Sequence, residues 1–166
     1  MAALTAQTAR RLAPGGFSWP RNWRIADTIR VYIGSFCGIP GTGGFTSTRG
    51  FLRPWSNVAT TQWAGVCTGF NFPANVVDIN AGSLAGATAE SPDPEAVTEA
   101  GPVVLENYSV TGVSAQADLR LSVYATNDND LTVTANIAPI VGRIIYYRTS
   151  TNCDVLFYGY LASVVI

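Results

Sequence analysis

The groups best able to do chemistry are gathered near the start of the chain. Arg10-Arg11, then Phe17-Ser18-Trp19-Pro20-Arg21-Asn22-Trp23-Arg24, set guanidinium groups among large aromatic rings. Guanidinium pairs bidentately with carboxylates, and Trp and Phe bring large contact area at low entropic cost. Such a set suits binding, because Arg and Trp are concentrated at contact hot spots. It could also stack on and neutralise single-stranded nucleic acid. The whole chain is net acidic, however, at −1, and no basic patch continues through the later segments. An acidic protein surface therefore ranks first as partner and nucleic acid behind it. Arg10, Arg11, Phe17, Trp19, Arg21, Trp23 and Arg24 are the candidate interface residues.

Missing residue types exclude much of the remaining chemistry. The chain has no His, and all ten basic residues are Arg. Without His there is no Ser-His-Asp or Cys-His nucleophile and no histidine metal ligand. Without Lys there is no Schiff base and no phosphate-loop lysine. Glycoside hydrolysis by paired carboxylates needs neither. Yet Glu90, Asp93, Glu95 and Glu99 fall in a Pro/Ala/Glu stretch, Asp128 and Asp130 fall in a turn, and Asp78, Glu106 and Asp118 are left with nothing to pair them. The Gly-rich stretch 38–44 lacks both the GK[ST] ending and the third glycine of a dinucleotide fingerprint, so it reads as a turn. Cys37, Cys67 and Cys153 have no CxxC spacing and read as small buried hydrophobes rather than a disulfide framework or zinc site. The expectation is a binding or structural protein, not an enzyme, with no cofactor and no metal.

The elements that must position these groups are read as strands. Charged residues are only 13% of the 166, about half the usual share, and Thr, Val and Ile abound while strong helix formers are scarce. One domain is expected. Residues 1–13 could form a weak Ala-rich helix, stopped by Pro14-Gly15-Gly16, and the rest of residues 1–27 reads as an extended arm outside a β-rich domain of 28–166. Strands are expected from Thr28 to Ile33 and from Trp63 to Phe70. Residues 85–101 are expected to be a mobile acidic loop. One hairpin is expected from Leu119–Tyr124 and Leu131–Ile137 around Asn127-Asp128-Asn129-Asp130, and a second from 142–148 and 154–160. The apolar stretch 161–166 should pair as a strand or be buried against a partner. Several short strands at this spacing imply a sandwich or barrel.

Charge is unevenly placed. Residues 1–53 carry seven Arg against Asp27, whereas 54–118 carry seven acids and no base. The N-terminus has no apolar core ahead of a cleavage site, so no signal peptide is expected. No window reaches the ~18 apolar residues of a bilayer span, so no membrane partner is expected.

The segment 101–157, GPVVLENYSVTGVSAQADLRLSVYATNDNDLTVTANIAPIVGRIIYYRTSTNCDVLF, has a recognisable order. An apolar strand, a TGVS step, VYATNDNDLTVTA, Val141-Gly142-Arg143 and a closing Cys-Asp-Val-Leu-Phe follow one another. Earlier, Tyr32–Val66 runs from a strand through Gly38-Ile39-Pro40-Gly41-Thr42-Gly43-Gly44-Phe45 to Trp63-Ala64-Gly65-Val66-Cys67. Together these resemble the head decoration, or capsid cement, proteins of tailed double-stranded DNA bacteriophages. The chain departs from that family in its long N-terminal arm and its lack of Lys. The resemblance implies an all-β fold, a small β-barrel or tulip-like β-sandwich, assembled as a homotrimer on the outer surface of the virion. It implies the major capsid protein as partner, synthesis in the host cytoplasm, and no enzymatic activity. The alternative is a head-fibre or carbohydrate-binding module that contacts a host surface.

Overall fold

The computed structural model describes residues 10–14, 20–25, 30–40, 52–56, 61–71, 83–85, 95–137, 139–149 and 151–159. Among them the chain is nearly all strand, and its second half closes into a five-stranded β-barrel. The all-β expectation holds. The barrel strands are β9 (Val103–Thr111), β10 (Ser122–Ala125), β11 (Leu131–Thr132), β12 (Ile140–Tyr147) and β13 (Asn152–Phe157). They run in the order β9-β11-β10-β12-β13, and β13 pairs back onto β9. Only the β11–β9 pairing is parallel. Alternation decides the inside: Val103, Leu105, Val123, Ala125, Val141, Ile144, Cys153, Val155 and Phe157 are all buried in one core. Closure of the barrel removes the open strand edge.

The barrel admits two departures from simple pleating. Asn107 adopts φ 51° between register positions of β9, a conformation Asn tolerates better than most residues. Its N–H donates to Asp154 Oδ1 at 2.8 Å, which holds the bulge against β13. Gly142 of β12 packs so close to β13 that a Cβ there would lie 2.4 Å from the Leu156 carbonyl oxygen.

A second sheet comprises β2 (Pro20–Arg24), β4 (Phe36–Pro40), β5 (Arg53–Pro54), β6 (Thr61–Asn71) and β8 (Glu95–Glu99). Its order is β2-β8-β6-β4-β5, antiparallel throughout. Both faces are covered. Phe36, Trp55, Trp63 and Val66 join the barrel core. Cys37, Ile39, Ala64, Cys67 and Ala96 turn the other way, into a second core with Ile25, Val31 and Leu52. A two-faced sheet explains why β6 reads as an almost unbroken apolar run. The Trp55 indole donates to the Ala125 carbonyl at 2.8 Å, tying sheet to barrel. Ile25 and Leu52 form an isolated bridge that draws the chain beyond β2 to the chain before β5. A short pair, β3 (Arg30–Tyr32) with β7 (Ser83–Ala85), completes the strands.

Several expectations need correction. The N-terminal segment is no free arm: β1 (Leu12–Pro14) pairs with β9 on the barrel, and β2 pairs with β8. Residues 12–13 are therefore strand rather than helix. The supposed loop 85–101 contains β8, which lies between β2 and β6. Ala96 and Thr98 are buried while Glu95, Val97 and Glu99 are half-buried; small inward residues and Glu outward gave too weak an alternation to read. Gly38 belongs to β4, not to a turn, and a Cβ there would meet Thr61 Cγ2 at 2.4 Å and Trp55 at 2.9 Å. The first hairpin is shorter than expected, pairing only Tyr124 with Thr132 and Ala125 with Leu131. On its other edge β11 pairs in parallel with the end of β9, Leu131 with Val110 and Thr132 with Thr111, and the Val133 N–H donates to the Thr111 carbonyl at 3.0 Å. The second hairpin forms, but over Ile140–Tyr147 and Asn152–Phe157 rather than 142–148 and 154–160, and the strand over Trp63–Phe70 forms as expected. Residues 1–9, 41–44, 86–94 and 161–166 lie outside the described residues.

Candidate interaction surface

Arg10 does not project as an interface residue would. Its guanidinium lies 4.1 Å from the centre of the Phe36 ring and 5.0 Å from that of Tyr108. Its Nε donates to the Gly34 carbonyl, and Nη2 donates to Asn129 Oδ1 at 3.1 Å. The Tyr108 hydroxyl donates to the Asn129 carbonyl, so the same turn is gripped twice. Asn127 holds that turn from within, its Oδ1 accepting from the N–H of Asn129 and Asp130 at 2.8 and 2.9 Å. The Phe36 N–H donates to the Asp128 carbonyl at 2.8 Å, joining β4 to the turn. Arg10 thus clasps the chain start to the junction of sheet and barrel.

Its neighbour points outward. The Arg11 side chain is 79% exposed, and its Nε lies 2.5 Å from Glu106 Oε2 on β9. The Glu106 N–H donates to the Arg11 carbonyl at 2.9 Å. Trp23 turns inward over the second core, its indole donating to Thr98 Oγ1 at 2.8 Å, and Thr98 in turn donates to the Ala64 carbonyl at 2.6 Å. Arg21 and Arg24 are exposed on β2, opposite Thr98 and Glu95 respectively. Phe17 and Trp19 lie outside the described residues. Of the proposed set, then, Arg11, Arg21 and Arg24 face outward, while Arg10 and Trp23 serve the fold.

The other candidate groups are placed apart. Glu106 is held by Arg11. Asp118 accepts the N–H groups of Ser114 and Ala115 at 2.7 and 2.9 Å, and those bonds hold its carboxyl below the usual range. Asp78 lies outside the described residues. Asp154 binds Arg148 through two bonds of 2.5 and 2.7 Å. That bidentate contact is the main reason its carboxyl is lowered, opposed in part by burial and aided by the Asn107 N–H. All three cysteines are free thiols and buried. Burial pushes Cys67 up to about 12 and Cys153 up to about 11, and it also raises Cys37. A thiol so raised is a poor nucleophile. Among the described residues no group of three or more His, Cys, Asp or Glu side chains could hold a metal ion, and no helix is long and apolar enough to cross a membrane.

One feature of the surface escapes periodicity. Ile145 and Tyr146, adjacent on β12, are both exposed, beside a register irregularity between Ile144 and Tyr146. The irregularity shows only in the register with the partner strand β13. Arg120 and Arg143 are exposed on the same side of the barrel.

Comparison of the chain with family models, with curated proteins and with solved structures finds no match.

Proposed function

We propose that the chain is a decoration, or cement, protein of a tailed bacteriophage head, binding the outer surface of the major capsid protein shell. The observation that supports this best is the closed barrel built from residues 103–157, the stretch that carries the resemblance. A closed barrel exposes no edge for runaway strand pairing, which suits a protein displayed in many copies. Such a protein acts by occupying seams between capsid subunits and adding interface area that internal DNA pressure must break. Binding that favours the expanded shell stabilises it by mass action. Assembly as a homotrimer makes attachment trivalent, so modest single contacts give strong retention.

The outward arginines Arg11, Arg21 and Arg24 supply the cationic side of this contact, toward acidic groups of the shell. The test is uptake of the purified chain by expanded shells at rising salt. High-copy binding that weakens with salt, and weakens further in an Arg21→Ala/Arg24→Ala variant, is expected. Shells that take up no protein overturn the reading. Glycan binding by the isolated chain, with few copies per particle, would point instead to a host-contacting module. Light scattering on the free and shell-bound protein checks the trimer.

A further inference from the structure

The large apolar side chains that are exposed among the described residues fall in one stretch of the barrel. They are Leu121 (41%), Ile137 (67%), Ile140 (38%), Ile145 (44%) and Tyr146 (57%). Pairing brings Leu121 next to β12: the Ile144 N–H donates to the Leu121 carbonyl at 3.1 Å, and the Arg120 N–H donates to the Ile144 carbonyl at 2.9 Å. Ser122 stands opposite Arg143. These pairings set Arg120 and Leu121 beside the stretch of β12 that carries Arg143, Ile145 and Tyr146. Arg120 holds φ 73°, a conformation natural to Gly but strained for Arg. Strain of that kind persists where the surroundings enforce it and concentrates at functional positions.

We propose that this β12 face is a protein-docking surface, and that its occupant is an acidic surface of a different protein. Deepening the proposal above, and resting on it for the occupant's identity, the partner is the shell protein. Arg120 and Arg143 have no ion pair among the described residues, whereas Arg148 is bound by Asp154 and lies with its guanidinium 5.4 Å from the Tyr146 ring centre. Apolar anchors with Tyr and Arg are the composition of contact hot spots. Because the barrel is closed, the partner meets side chains here rather than an open strand edge. A second copy seated face to face across a two-fold axis fits poorly, because the same arginines would stand on both sides of the contact. Within the described chain, Glu106 is engaged by Arg11, Asp154 by Arg148, Asp118 by backbone N–H groups and Asp130 by Asn127.

The experiment places a photo-reactive benzoylphenylalanine at Ile145 of the full chain, in cells also making the shell protein. The expected adduct joins it to an Asp- or Glu-bearing peptide of the shell protein. Arg143→Glu should remove that adduct and weaken shell binding at least about tenfold, while Arg143→Lys keeps most of both. These are surface positions, so melting temperatures should agree within about 3 °C, which separates lost docking from lost folding. An adduct with an acidic peptide of another protein, lost in Arg143→Glu, supports the face and removes the shell reading. Shell binding that is unchanged both in Arg143→Glu and in Ile145→Ser/Tyr146→Ser overturns the face and leaves the shell reading standing. An adduct with a second copy, nucleic acid or lipid, or no adduct at all, also overturns it.

Discussion

The Arg10 guanidinium lies 4.1 Å from the centre of the Phe36 ring, a residue with no solvent exposure at the meeting point of the second sheet and the barrel. A cation at a ring face, with hydrogen bonds to Gly34 and Asn129, is an internal strut. Arg10→Ala should therefore lower stability by about 2 kcal/mol. Arg10→Lys should recover less than half, since Lys cannot span both acceptors with a planar fork. Urea midpoints of the three proteins check this; equal midpoints would show the contact to be idle. Removing residues 1–24 should cost far more, because β1 and β2 go with it.

Gly65 separates backbone necessity from mere composition. It sits in β6 at φ +110°, and a Cβ would lie 2.1 Å from the Glu99 carbonyl oxygen. Gly65→Ala should destabilise by more than about 3 kcal/mol or prevent folding. Gly69, on the same strand, has nothing within 4 Å of a Cβ. Gly69→Ala should stay within about 1 kcal/mol of the parent. Thermal melts of the two variants should differ accordingly.

The buried thiols impose an alkaline limit. Their folded pKa values are raised, to about 12 for Cys67 and about 11 for Cys153, by burial. The unfolded chain ionises them near about 8.5, so above that pH the unfolded state sheds protons that the folded state keeps. The stability their protonated forms contribute is complete below that value and declines as pH rises toward the folded values. The native protein should react with a maleimide far more slowly than the unfolded protein at pH 8. Rapid native labelling at Cys37, Cys67 or Cys153 would show the cores to be open.

Asp154 sets an acid limit with the opposite sign. Its carboxyl is lowered chiefly by the Arg148 hydrogen bonds, so its contribution is present above the unfolded value of about 3.9 and is lost as pH falls through the lower folded value. Asp154→Asn should be less stable at pH 7 and should show a flatter decline below about pH 4. Denaturation midpoints across pH 2–7 test this, and parallel curves for parent and variant would contradict it.

Much was determined locally. The strand stretches 142–148 and 154–160 around a Thr-Ser-Thr-Asn turn marked the second hairpin, the apolar run from Trp63 marked β6, and the isolated cysteines had only packing left to do. These readings succeed because a strand with a buried face writes a period of two into its own residues. Other features depended on neighbours distant in sequence. Glu95–Glu99 is a strand because β2 and β6 supply hydrogen bonds on either side, something its short alternating residues could not announce. Arg10 looked like an interface cation, and only the approach of Phe36, Tyr108 and Asn129, 26 to 119 residues away, made it an internal one. Ile145 and Tyr146 lie in the expected strand 142–148, and the register irregularity with β13 beside them, not visible in the sequence, accompanies the exposure of both. Composition and periodicity determine which residues prefer burial; pairing partners and register, which are long-range, decide which of them obtain it.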